Sequence, residues 1–439
     1  MSTFAPRPLI ARTDVRVRRS SFPAVAVCAL VFVSDFEYRQ RDVNAALEGS
    51  IDFAIVFELL VYFGVAAIFF LGAAAPKARR LPPPLLIMWV FTVVLVISAL
   101  WAPSMVFSAV RGSQHLILAV MATVFGRQAD EHDFANIAGA YVGLMTGFIG
   151  LGLVWRIAPS NNVADRFNWG ATHPVVAAAL LVTSVLILMS WTRADTGYRP
   201  FRTSAVYLLL FVHVAALAAT QTRGAIFAAI VGAIVWLALA VKRRQDLLIM
   251  AAFLAPVLGF LSRDVVLGLI VRGESIEQLQ TLNSRTTLWA EAISAVGSNP
   301  ILGRGYFSAR EIFLESIGLG GAHNAYIEVL VSTGLVGVAL LAALLLRMIR
   351  VLSAIRRTPQ GPLIAAIFAS LLANGLTAQY WAQGGTGSSV WFYVCIAWAS
   401  AVWTQEMRRE AETRRRAAAT EGGIDLGSPQ IQQPVSEPG

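Results

Sequence analysis

About a dozen apolar runs, each of roughly 17–23 residues, divide the chain, and each is long enough to cross a bilayer as a helix. That arrangement decides what can fold. A bilayer offers no water to free backbone groups, so chains of this kind satisfy them within helices. Composition agrees: of 439 residues, 56% are hydrophobic and 14% charged, with a mean hydropathy of +0.64. A soluble domain is about a quarter charged. The apolar excess is too large for one globular core and excludes a cytosolic enzyme, a secreted domain or a DNA-binding protein. The expected fold is an all-α polytopic membrane protein of about 12 transmembrane helices.

The spans are expected at 22–36, 53–72, 84–100, 106–126, 134–155, 174–191, 203–221, 224–241, 246–262, 324–346, 362–378 and 389–404. An N-terminal segment, 1–21, precedes spans one to nine, which occupy 22–262. One long, partly helical loop, 263–323, separates spans nine and ten, and the last three spans occupy 324–404. Residues 405–439, rich in Arg, Glu, Gln and Pro, are expected to form a disordered tail. The basic stretch Arg7 to Arg19 and the following apolar run lack a small-residue cleavage site, so the first helix is read as retained.

A net charge of +9 and a pI near 10 would point to nucleic acid in a soluble protein. Here the retention of Lys and Arg on the cytoplasmic side explains the surplus, and no nucleic-acid partner is expected. With both termini cytoplasmic, 24 of the 35 basic residues fall in inner segments, and five of the remaining 11 lie in 263–323. The long loop then faces the periplasm or the outside. Cys28 and Cys395 lie within apolar spans, which argues against a disulfide framework or a thiolate metal site. The chain has no P-loop, no GxGxxG after a strand, no HExxH and no CxxC. No cofactor and no metal are expected.

Four polar strings interrupt the apolar runs on the outward side. Thr220-Gln221-Thr222-Arg223-Gly224-Ala225 sets a guanidinium at a membrane boundary, where it matches phosphate oxygens and stays charged; a snorkelling arginine fits the same position. Asn283-Ser284-Arg285-Thr286-Thr287-Leu288-Trp289 opens a short helix capped by Asn283 or Ser284. Arg285 lies near its anion-attracting N-terminus, and Trp289, Ile293 and Val296 are expected to share one face. Asn299-Pro300-Ile301-Leu302-Gly303-Arg304-Gly305-Tyr306-Phe307 reads as a tight turn. Gly320-Gly321-Ala322-His323-Asn324-Ala325-Tyr326 leads into span ten and Gly334-Leu335-Val336-Gly337. His323 carries an imidazole, a group whose ordinary pKa lies near working pH, and can take a proton from a hydroxyl. Asn324 and Glu328, four apart, can form a polar cluster beside it.

Taken in order, these strings resemble the O-antigen ligase and polysaccharide polymerase superfamily. They are Thr-Arg-Gly at 222–224, Ser-Arg-Thr-Thr-Leu-Trp at 284–289, Asn-Pro-Ile-Leu-Gly-Arg-Gly-Tyr-Phe at 299–307, and His-Asn-Ala-Tyr-Ile-Glu at 323–328 with Gly-Leu-Val-Gly at 334–337. Trp101-Ala102-Pro103 with Arg111, and Gly170-Ala171-Thr172-His173-Pro174, fit more loosely. The resemblance implies transfer of a glycan from undecaprenyl diphosphate, at the periplasmic face of the bacterial inner membrane. The acceptor is a sugar hydroxyl on lipid A core or on another lipid-linked glycan, and neither nucleotide sugar nor essential metal takes part. It implies catalytic roles for His323, Arg223 and Arg285: two cations stabilise the departing diphosphate, and the imidazole deprotonates the acceptor in one inverting displacement. The cations would also depress the pKa of His323, which keeps it neutral. Arg111, His173, Arg166, Trp289, Asn324 and Tyr326 are the candidate substrate-binding residues. A chain-length regulator and a flippase are the partner proteins such a system implies.

The strings look slightly more like those of exopolysaccharide polymerases than of ligases. A second class of function, a transporter or flippase of lipid-linked glycans, shares the span count and the inward termini. It would more often show pseudo-repeats and a long central cytoplasmic connection. Among other ionisable groups in the spans, His213 is expected to make an interhelical hydrogen bond, Glu58 is notable for its cost in an apolar run, and His115 and His132 look incidental.

Overall fold

The computed structural model describes residues 22–36, 53–72, 81–157, 166–193, 200–240, 285–310, 312 and 321–421. The expected span 246–262, the segment 1–21 and much of the long loop lie outside these residues. Twelve α-helices can be followed in chain order: α1 (Phe22–Asp35), α2 (Phe53–Gly72), α3 (Pro83–Ser98), α4 (Met105–Gln128), α5 (Glu131–Ile157), α6 (Pro174–Trp191), α7 (Thr203–Ala219), α8 (Arg223–Ala240), α9 (Arg285–Gly297), α10 (Ala325–Ile355), α11 (Gly361–Asn374) and α12 (Gly387–Glu421). No strand occurs among the described residues. Six of these helices are long and apolar enough to cross a membrane, and further apolar helices of 10–17 residues accompany them. The chain is an all-α polytopic membrane protein.

The helix boundaries follow from local chemistry. Pro83, Pro174 and Pro362 stand at the first turns of α3, α6 and α11, where a missing N–H costs nothing. Asn324 caps α10, its Oδ1 accepting from the Tyr326 and Ile327 amides at 2.9 and 3.1 Å. Buried apolar side chains of α4, α6, α11 and the first half of α12 form the centre of the bundle. On α7 and α8, Leu208, Phe211, Phe227, Ile230 and Ile234 point outward, as a lipid-facing surface does.

The helix ends sort into two sets. At one end lie the turn Thr220–Thr222 and the segments 99–104, 166–173, 298–310, 321–324 and 375–386. The other end carries Arg127, Arg202, Arg347, Arg350, Arg356 and Arg357. It is tied by Arg193 donating to the Ala240 carbonyl and by an ion pair of Arg409 with Glu131 at 3.3 Å. The described parts of the polar strings thus lie opposite the arginine-rich end.

Three elements depart from expectation. The helix α12 continues through Glu421, whereas residues from 405 onward were expected to be disordered; pairs such as Glu406 with Arg409 at 2.8 Å support the added turns. On α9 the buried face is Leu288, Ala292 and Val296, packed with Ala309, Ala322 and Val331, while Ile293 is 60% exposed and Trp289 lies at the edge. The string 299–307 is more than a turn. It enters a break in α10 at Gly334 (φ 60°, ψ −155°) and satisfies the backbone groups that the break releases. The Arg304 and Gly305 amides donate to the Val331 and Ser332 carbonyls at 2.7 and 3.0 Å, and the Leu335 and Val336 amides donate to the Pro300 and Ile301 carbonyls at 2.9 and 3.2 Å. A Cβ on Gly303 would come within 2.6 Å of the Gly334 nitrogen, so both glycines are required by this approach.

Candidate functional site

The turn joining α11 to α12 is the floor on which the strings meet. Gly224, next to Arg223 at the start of α8, packs so closely on Thr377 that a Cβ would overlap its side chain. Asn324, next to His323, donates from Nδ2 to the Leu376 carbonyl at 3.3 Å, and the Ala325 amide donates to the Gly375 carbonyl at 2.8 Å. Tyr326 donates its hydroxyl to Leu372 O at 2.9 Å and packs edge-on to Trp381. The helix starts that bear Arg223 and His323 therefore sit on adjacent residues, Leu376 and Thr377. Gln379 closes the same turn against Gly321.

A second clasp fixes the Arg223 turn. Arg166 donates from Nε to the Thr220 carbonyl and from Nη2 to the Thr222 hydroxyl, both at 2.9 Å. The Phe167 amide donates to the Ala219 carbonyl at 2.8 Å. His173 caps α6 by accepting the Val175 amide at its Nδ1, 3.2 Å away. Partial burial, with the Arg166 charge second, holds the His173 imidazole below its usual pKa. Arg166 and His173 thus flank the Arg223 turn.

On the far side of His323, Trp289 donates from its indole nitrogen to the Ala322 carbonyl at 3.2 Å. This joins α9 to the His323 loop. Arg285 is the first residue of α9, one turn before Trp289; its side chain lies outside the described residues. Asn283 and Ser284, the expected caps, lie outside them too.

Backbone conformation singles out the same end. Among the described residues, the non-glycine residues with positive φ are Gln221 (50°), Phe307 (64°) and His323 (49°). Each belongs to one of the four strings. Such conformations cost about 1–3 kcal/mol and cluster where function over-determines the fold.

Arg111 stands in a different setting. Its Nη1 donates to Glu58 Oε1 at 3.2 Å, to Gln114 Oε1 at 3.1 Å and to the Gly384 carbonyl at 3.3 Å, and Gln114 Nε2 donates to Glu58 at 2.8 Å. The guanidinium faces the bundle interior, and Glu58 is its counter-ion. Among the described residues His213 makes no interhelical bond: it is fully buried, and its Nδ1 is 2.7 Å from the Leu209 carbonyl one turn back on α7. His115 is buried between the Tyr306 and Tyr393 rings with Nε2 3.3 Å from the Ala382 carbonyl, and His132 is exposed at the arginine-rich end.

The 375–386 turn was missed by sequence reasoning. Its signal was present, since Gln379-Tyr380-Trp381-Ala382-Gln383-Gly384-Gly385-Thr386 is a polar, glycine-containing break between two apolar runs, as 220–224 is. A cavity of about 260 Å³ lined by Phe22, Ile68, Phe69, Phe125 and Gln128 lies at the opposite end of the bundle, away from these residues.

Comparison with known proteins bears on the same stretch. Residues 205–342, which contain Arg223, Arg285 and His323, match a family model described as O-antigen ligase. A protein of Pseudomonas aeruginosa (strain PAO1) named O-antigen ligase is 29% identical over 204 residues, 45% of this chain and 45% of its own length. The match spans less than half of that relative. By both matches the chain is similar to O-antigen ligases over part of its length.

Proposed function

We propose that the protein is a glycosyltransferase of the inner membrane. It moves a glycan from undecaprenyl diphosphate to a sugar hydroxyl at the periplasmic face, in the synthesis of cell-surface polysaccharide. One observation carries the reading: the helix starts bearing Arg223 and His323 rest on neighbouring residues of one turn. This neighbourhood supports a reading in which a cation suited to a diphosphate and an imidazole suited to a hydroxyl act together.

In this reading the acceptor oxygen attacks the anomeric carbon as its proton passes to His323. The bond from that carbon to the diphosphate oxygen breaks, the lipid diphosphate leaves, and the configuration inverts. Arg223 and Arg285 stabilise the charge that develops on the leaving group, a role worth about 3–4 kcal/mol for a well-placed donor. Trp289, Asn324 and Tyr326 hold the His323 loop, while Arg166 holds the Arg223 turn and His173 stands near it, beside the acceptor path. The orientation rests on the arginine-rich end, which the retention of basic residues in the cytoplasm places inside. Lipid A core and a second lipid-linked repeat unit offer the same hydroxyl chemistry. The strings favour the polymerase slightly, and the family description and the relative carry the name ligase.

The test is bond formation by the purified protein, given a lipid-diphosphate glycan and each acceptor, with EDTA present. New glycosidic product supports the reading. Movement of the lipid-linked glycan across vesicles with no bond formed would replace it with a flippase. Deleting the gene separates the acceptors: loss of long chains alone marks a polymerase, and loss of capped lipopolysaccharide with accumulating lipid-linked polymer marks a ligase.

A further inference from the structure

Glu328 lies one turn into α10 and is 1% exposed, yet neither carboxylate oxygen completes a hydrogen bond among the described residues. Ser332, one turn further along the same face, also has a buried hydroxyl oxygen with no partner among them. An ionisable group among apolar helices is costly, and an apolar side chain of similar size would be more stable there. Capping does not explain it. Asn324 already caps α10, and the residue that would complete a capping box is Ile327. Helical side chains lean toward the N-terminus of their helix, which directs Glu328 back toward the turn 321–323. The Ala322 amide faces the carboxylate there without reaching full hydrogen-bond geometry. The next residue, His323, holds the left-handed backbone that a side chain rarely adopts.

We propose that Glu328 is a positioning residue for His323: its carboxylate holds the Ala322–His323 turn in the left-handed conformation that aims the imidazole at the reacting hydroxyl. The functional half of this proposal rests on the glycan-transfer reading above. The structural half stands on the geometry of the turn.

Two measurements on the full-length purified protein test it, with Glu328→Leu as the disrupting variant and Glu328→Gln as the rescue. Hydrogen exchange at the amides of 322–324 is expected to quicken about tenfold or more in Glu328→Leu as the turn opens locally. Transfer from a lipid-diphosphate glycan is expected to lose about tenfold or more in kcat, with KM changed less than about twofold, because a misplaced general base costs rate rather than binding. Glu328→Gln keeps a polar oxygen facing the Ala322 amide, and is expected to restore both readouts to within about threefold. Unchanged exchange in Glu328→Leu overturns the proposal, and so does a Gln variant that behaves like Leu. Should Glu328→Leu not fold, Glu328→Ala is read by the same criteria. If the unmodified protein forms no glycosidic bond, the transfer reading falls, and the exchange measurement still decides whether Glu328 holds the turn.

Discussion

His323 combines an unfavourable backbone with a reactive side chain, and the two can be separated. At φ 49°, glycine relieves the strain and alanine does not. His323→Gly is expected to be more stable than His323→Ala by about 1 kcal/mol, by thermal melting in detergent. Both are expected to lose about 10²–10⁴-fold in transfer, the usual worth of a general base. Equal activity in the glycine variant and the parent would remove His323 from the chemistry. At the same scale, Arg166→Leu strips two charge-assisted hydrogen bonds from the Thr220–Thr222 turn. It is expected to lower stability by about 1.5–3 kcal/mol, again read by melting. The polar strings that hold Arg223 and His323 were legible in the sequence because each interrupts long apolar runs. The pairing of Arg111 with Glu58 was not, because the partners lie 53 residues apart and only the packing of α2 on α4 joins them.

At the scale of elements, the junction of 299–305 with the break in α10 is the most constrained feature. A Cβ on Gly334 would lie 2.5 Å from the Ile301 carbonyl oxygen, in a backbone conformation that L residues rarely adopt. Gly334→Ala and Gly303→Ala are each expected to destabilise by about 2 kcal/mol or more. Their combination is expected to cost less than the sum, because both disrupt one junction. Melting of the two single variants and the double variant checks this; full additivity would show that the glycines act separately. The described helices that fall on expected spans were readable because each is a continuous apolar run. The break was not, since the backbone that completes it comes from far upstream. On α9, 13 residues are too few for periodicity to choose between the rows 289–293–296 and 288–292–296; contact with α10 decides it. For α12, the composition of 405–421 suggested disorder, but the Glu–Arg spacing that extends the helix was already in the sequence.

For the whole molecule, two ends of unlike character imply one orientation. A single cysteine placed at Ile301, 62% exposed, is expected to react with a membrane-impermeant maleimide from outside intact spheroplasts. One at Arg357 is expected to react only after permeabilisation. Cys28 and Cys395 lie within the helical bundle and add little background. The reverse pattern would put the four strings in the cytoplasm and end the proposal of periplasmic chemistry. The most direct test of the central claim is the transfer rate of the purified protein, with a lipid-diphosphate glycan and a hydroxyl acceptor, against its Arg223→Ala and His323→Ala variants. The account predicts robust bond formation by the parent and losses of about a hundredfold or more in each variant. Full activity in both variants would contradict it.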